Sequence, residues 1–425
     1  KAMNHVIAQY SFTQRMGLLL SLYICQGLPT GIFTQALPAI LRQYGVPLTV
    51  ISFSGLLAVP WVLKFLIAPF VDAHYSSRIG QRRTWILPMQ LLAILAVIAI
   101  AFFNPHQLIH SEGIVIFFLL MFLVNLFAAT QDVATDGLAV NVLAFHERGV
   151  GNGIQVAGYR LGLIIGGGLL LYVIGSVGWQ LSFFMLAILL AVLTLPILSF
   201  REVAPVVSPH KPMPWLSVFQ SFFNRPGLKG WVIVLMVYKA GESLGTAMVK
   251  PMLIDMGLDL KQIGLMVSMV GSLAALTGAL LGGWLTTRVG RRSAMVGFGV
   301  FQALAVASYA VLSSRYAAGQ PLDVVWVYGI NALEHFAAGM AMAALLTAVM
   351  DLCRPEHAGA DFSIQVSILA AFGGVFHLAA GFVADSLGYS AYFLVSAGLA
   401  LVLLWPVALY SRELPWLIKG LPVVG

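Results

Sequence analysis

Charge is what this chain has least of. Only 9% of its 425 residues are Asp, Glu, Lys or Arg, while 60% are hydrophobic; soluble domains carry roughly 25% charged residues. With 23 cationic and 16 anionic side chains, a water-soluble fold of this length could not cover its surface. Cysteine is nearly absent: Cys25 and Cys353 lie in opposite halves and form no CxxC, which excludes a disulfide framework and a structural zinc. The nine histidines are scattered, without the His–carboxylate spacing of a metal centre, so neither metal, cofactor nor enzymatic activity is expected. No GxxxxGK[ST] occurs, and the glycine runs 149–153 and 166–168 follow no strand, so they are not nucleotide loops. They read instead as places where helices approach closely. A sensor would add a soluble output domain, and no such segment is found.

What is present is a series of long apolar runs. An all-α integral membrane protein is the fold class they predict, because the runs do not alternate as barrel strands do. Twelve runs reach the roughly 20 residues that a spanning helix needs: 16–41, 50–71, 84–104, 113–143, 149–174, 179–200, 230–254, 263–287, 293–314, 322–350, 358–384 and 388–411. Nothing before the first run reads as a cleavable signal. The one long polar break, 201–228, holds five prolines and reads as a semi-rigid connection. It divides the chain into an N-terminal six-helix bundle (1–200) and a C-terminal one (229–425).

The net charge of +7 invites a nucleic-acid reading, but its distribution argues otherwise. Sixteen of the 23 cationic residues fall on one side of the twelve-span layout and three on the other. The positive-inside rule then places both termini in the cytoplasm and leaves no basic excess for nucleic acid.

The halves repeat. At an offset of 210, Arg78, Gly80 and Arg82 lie over Arg288, Gly290 and Arg292. Gln155 lies over Gln365, Gly178 over Gly388 and Gly31 over Gly241. Parallel six-helix repeats of this kind are the expected sign of a major-facilitator transporter. The Arg78–Arg82 loop follows Asp72, an acidic helix end, and reads as a charge latch in which Gly80 permits the turn. Gly282 stands where a second Asp72 would align, so the second latch is expected to be weaker or differently partnered.

Ionisable groups inside spans cost several kcal/mol, about 2.5–3.5 on insertion scales, and each is a functional candidate. Asp132 and Asp136 are four apart and share a helix face. Arg160 lies as far beyond the turn near His146 as Asp132 lies before it, which predicts an Asp–Arg160 pair at similar depth. That pair is either a static lock between helices or a proton-coupling switch. Lys239 and Glu242 are spaced to neutralise one another. Glu334 has no cation nearby in sequence apart from His335, and an unpaired buried carboxylate is able to exchange protons near neutral pH. Lys64 is read as snorkelling to the interface, or else as facing an anionic solute. Lys250 is read as interfacial and His377 as a packing residue. Gln131, Tyr159, Gln155, Gln365, Gln26, Gln35, Trp61 and His335 are candidates for a polar cavity wall.

Gln131-Asp132-Val133-Ala134-Thr135-Asp136-Gly137, Glu147-Arg148-Gly149 and Gly158-Tyr159-Arg160-Leu161-Gly162 resemble the AmpG group of the major facilitator superfamily. That group comprises the muropeptide permeases and the shorter siderophore importers of the RhtX/FptX type. The resemblance implies a proton-driven importer of a bulky solute in the bacterial inner membrane, working as a monomer. Thr135–Val140 and Gly151–Gln155 read closer to the siderophore branch, and AmpG permeases commonly carry spans beyond twelve. Siderophore uptake is therefore the first expectation and muropeptide uptake the second.

Overall fold

The computed structural model describes residues 9–410 apart from 48, 49, 52, 203–213, 259 and 322. Residues 203–213 of the expected proline-rich connection thus lie outside the described residues. Its later part holds a helix, Trp215–Phe223, whose Val218, Phe219 and Phe222 are buried.

Among the described residues, twelve helices are long and apolar enough to cross a membrane. They are α1 Phe12–Gln43, α2 Phe53–Ala73, α3 Arg83–Phe102, α4 Ser111–Val142, α5 Phe145–Val177 and α6 Trp179–Ser199, followed by α7 Leu228–Asp255, α8 Gln262–Val289, α9 Arg291–Ala317, α10 Val324–Asp351, α11 Pro355–Leu387 and α12 Tyr389–Tyr410. Both Phe12 and Tyr410 lie at the end of the bundle that carries the Arg78–Arg83 and Arg288–Arg292 loops, called here the basic end.

Two sets of residues 210 apart hold the same geometry. Gly178 (φ 85°, ψ 172°) and Gly388 (φ 73°, ψ 159°) end α5 and α11 with the same positive-φ backbone, which only glycine adopts without strain. Arg15 Nη1 donates to Val142 O at 2.8 Å, and Arg225 Nη1 donates to Leu352 O at 2.8 Å.

Small residues decide which helices touch. Lipid offers helices no hydrophobic reason to associate, so close packing must do so. Gly162 of α5 faces Gly27 of α1, and a Cβ there would stand 2.6 Å from Gly27 Cα. Gly153 of α5 likewise meets Ala279 of α8, which brings the two halves into contact near the basic end.

Among the described residues, α1, α5, α7 and α8 depart from regular α geometry. Turns of π-helix occur at Ile32–Ala36 in α1, Ile165–Leu169 in α5 and Leu265–Gly271 in α8. The seventh span is three pieces, Leu228–Val237, Ala240–Ala247 and Val249–Asp255, broken at Lys239 (φ −98°, ψ 3°) and Met248 (φ −100°, ψ 4°). Such interruptions cluster at functional sites, and broken spans free backbone groups only where protein or a cavity covers them.

Candidate functional site

In the first half, Asp132 and Asp136 of α4 do share one face, and it turns toward α2. Lys64 Nζ bonds the Asp132 carboxylate and lies 3.5 Å from Asp136 Oδ2. Tyr23 Oη of α1 donates to Asp136 Oδ1 at 3.0 Å, and Gln155 Nε2 of α5 donates to the same oxygen at 3.2 Å. Lys64 is only 6% exposed, so it does not snorkel. The predicted Asp–Arg160 pair is not formed; Lys64 takes that place. Equal depth along the membrane normal does not determine which way a side chain points. Gln155 occupies the Asp136-facing side of α5, and Arg160, five residues on, lies about 140° round the helix at 100° per residue.

Arg160 instead reaches a cavity of about 210 Å³ between the halves, lined by Arg160, Glu242, Thr246, Val249, Lys250, Tyr309, Asn331, Glu334, His335 and Ala338. Arg160 alone in this lining comes from the first half. Lys239, held at the α7 break, pairs with Glu242 three residues on. Glu334 is 2% exposed and sits 2.9 Å from His335 Nδ1, which also lies 3.0 Å from Asn331 O. Glu334 is within electrostatic reach of Arg160 and Lys239 but forms an ion pair with neither. Lys250 is exposed at the cavity wall.

The cavity-wall candidates divide. Trp61 Nε1 donates to Asn125 Oδ1 at 3.0 Å and joins α2 to α4. Gln365 is fully buried: its Oε1 accepts from Trp231 Nε1 at 2.7 Å and its Nε2 donates to Asp361 O at 2.9 Å, so it is a core strut and not a wall residue. Gln26 and Gln131 are buried, and Gln35 packs against Gly167 in the α1–α5 π turns. Tyr159 is half-buried, within electrostatic reach of Arg160, Asp132 and Lys64. His377 is exposed and does not pack. Asn331, Tyr309 and Thr246 escaped the sequence reading, although Asn331, Glu334, His335 and Ala338 follow the i, i+3, i+4, i+7 rule of one helix face.

At the basic end the halves are tied together. Arg82, fully buried, pairs with Asp72 and lies against Gly137, where any side chain would collide with its guanidinium. Asp72 also accepts from Ala360 N at 2.7 Å and Gly359 N at 3.3 Å, a carboxylate on the N-terminus of a helix from the other half. Asp351, 1% exposed, takes the role that Gly282 leaves open: Arg291 Nε lies 2.7 Å and Arg148 Nη1 3.1 Å from its carboxylate. Arg291 Nη2 donates on to Phe145 O at 2.7 Å in the first half. Arg78, Arg288 and Arg292 were expected in the latch but are exposed; Arg288 lies over Trp284 and Arg292 donates to Ala408 O. They sit on the outer faces of their turns, while Arg82 and Arg291 point inward. The acid that serves the second latch is sixty residues from its arginine, too far for loop spacing to reveal.

The sequence profile of the Major Facilitator Superfamily matches residues 19–376 and 238–419. An anhydromuropeptide permease of Escherichia coli K12 is 29% identical over 91% of this chain and 77% of its own length. A Rickettsia conorii protein named as transporter AmpG 4 is 26% identical over 89% of this chain and 92% of its own. Among solved structures, a bacterial homologue of the iron transporter ferroportin in an outward-facing state superposes with a TM-score of 0.68 at 16% identity, over 94% of this chain and 99% of that one. The transporter FucP in an outward conformation does so with 0.65 at 13% identity, over 94% and 98%. These two likenesses concern the fold. With twelve spans, a repeat at 210 residues and a profile match over most of its length, this chain belongs to the Major Facilitator Superfamily of membrane transport proteins.

Proposed function

We propose that this chain imports an anhydromuropeptide-class solute across the bacterial inner membrane by alternating access, as a monomer driven by protons. The carrying observation is the cross-half closure of the basic end combined with a charged cavity deeper in the bundle. Arg160 lies about 18 Å from that end and Glu334 about 26 Å, at 1.5 Å per helical residue. The excess of Lys and Arg makes the basic end cytoplasmic, so the cavity faces the side from which solute is taken up. The halves 1–200 and 229–425 rock against one another, breaking the Asp72 and Asp351 ties as the outer side closes.

The choice of solute rests on relatives. Siderophore uptake was the first expectation from the sequence; the permease of E. coli and the AmpG-named protein of R. conorii favour the second. Coupling is assigned to Lys64, Asp132 and Asp136, where two buried carboxylates share one cation. Protonating either aspartate leaves a neutral set and loosens the grip of α4 on α2, which biases the equilibrium between states.

The test is uptake of labelled anhydromuropeptide and of a labelled siderophore into cells lacking their own permeases, with and without an uncoupler. Uncoupler-sensitive accumulation of the muropeptide alone is expected. Equal muropeptide accumulation in cells with and without the protein would refute the proposal.

A further inference from the structure

We infer that the cavity recognises a zwitterionic end group of the solute, with a carboxylate on Arg160 and an ammonium on Glu334. This deepens the muropeptide reading and rests on it for the transport step. Two opposite charges line one cavity from opposite halves and do not touch. Each is costly to hold away from water, and a buried pair offsets that cost only when it meets in good geometry. A ligand that carries the complementary charges completes both at once. Glu242 is not the ammonium site, because Lys239 already neutralises it.

A second observation points the same way. Among the described residues, and apart from Glu242 Oε2, which Lys239 pairs, three buried polar atoms on this wall have no hydrogen-bond partner: Arg160 Nε, Asn331 Oδ1 and Tyr309 Oη. Asn331 and Tyr309 are 0% and 1% exposed. They present a donor, an acceptor and a hydroxyl that does either, and an unmatched buried polar atom costs about 1–3 kcal/mol. A simple anion would leave Glu334 with only the neighbouring His335 as a partner, and a simple cation would leave Arg160 without an ion pair; a neutral sugar would do both.

Size limits what enters. At about 210 Å³ the cavity falls below the roughly 300–1,000 Å³ of sites that enclose a whole drug-sized ligand, which suits one charged end group and not a whole disaccharide-peptide. The bulk of the solute then extends toward the open side. Because Arg160 belongs to one half and Glu334 to the other, only a solute with both charges draws the halves together. Selection thus acts on closure as well as on binding.

The experiment uses the detergent-purified full chain and four probes: alanyl-alanine, its N-acetyl form, its C-terminal amide, and the doubly blocked form. Ligand-dependent thermal stabilisation measures binding, and competition against labelled anhydromuropeptide in proteoliposomes measures occupancy of the transport path. Free alanyl-alanine is expected to bind, each single block to weaken it at least ten-fold, and the double block to abolish it. Arg160→Gln should erase the distinction between acid and amide, Arg160→Lys should keep it, and Glu334→Gln should erase the distinction between amine and acetamide. Equal binding of all four probes, or no binding of any, overturns the inference. So does full discrimination in Arg160→Gln. If the muropeptide is not transported, the proposed function fails while the thermal series still decides this question; if it is transported without charge discrimination, the inference alone falls.

Discussion

Replacing Asp351 by Asn removes the charge on which the second tie at the basic end converges. In the closed state Asp351 accepts from Arg148 at 3.1 Å and from Arg291 at 2.7 Å, with both arginine side chains 12% exposed or less. Hydrogen bonds to charged groups contribute about 1.5–3 kcal/mol each. An Asn side chain keeps one neutral acceptor, so about one such bond is lost. When the basic end opens, water solvates all three groups and the loss is largely recovered. The penalty therefore falls on the closed state, by about 1.5–3 kcal/mol, or roughly ten- to hundred-fold in the closed-to-open ratio. The assay is maleimide labelling of Ala279→Cys from the basic side, in a chain with Cys25 and Cys353 replaced by Ala. Ala279 is fully buried against Gly153 of the other half, so its labelling rate follows the open population. A rise of ten-fold or more is expected in Asp351→Asn. A rate within two-fold of the parent would show that Asp351 does not hold the halves together, and the reasoning would fail.

Lys64→Met should leave Asp132 and Asp136 facing each other without a cation and reduce gradient-driven uptake more than ten-fold at unchanged protein level; uptake at parental rates would remove the cluster from coupling. Arg82→Ala strands the Asp72 carboxylate in a buried site, at a cost of about 3–5 kcal/mol, and should lower the Tm in detergent by more than any surface Arg78→Ala does. Gly162→Val forces α5 away from α1 and should destabilise by about 1–3 kcal/mol or more, read as loss of folded protein on size-exclusion chromatography. Burial pushes the Glu202 carboxyl above its usual range, against the pull of the Arg83 and Arg82 backbone amides it accepts from. The folded state then binds the proton more tightly than the unfolded one, so this group's contribution to stability improves as pH falls through the raised pKa and is lost as pH rises. A Tm-versus-pH comparison of wild type with Glu202→Gln checks this; equal pH dependence in the two would contradict it.

The spacing of Asp132 and Asp136 alone foretold a shared face, because four residues make slightly more than one helical turn. The same arithmetic put Arg160 at the right depth and on the wrong side. Lys64, on an apolar span between Pro60 and Pro69, carries no local sign that its ammonium turns inward. Asp351 is equally silent, an acid at a span end whose two arginines come from other helices. Gln365 repeats Gln155 at the 210 offset, yet Trp231 and Asp361 lock one while Asp136 holds the other.

The number of spans, the internal duplication and the basic end were all readable from residue order, since each depends on position along a single axis, the membrane normal, along which a helix advances by a constant rise. Rotation about that axis and contact between distant helices were decided only in three dimensions. They follow from glycine faces meeting glycine faces and from the π turns and the α7 breaks, to which hydropathy is blind. Those contacts chose Lys64 over Arg160 for the aspartates and left Arg160 facing Glu334 across the cavity.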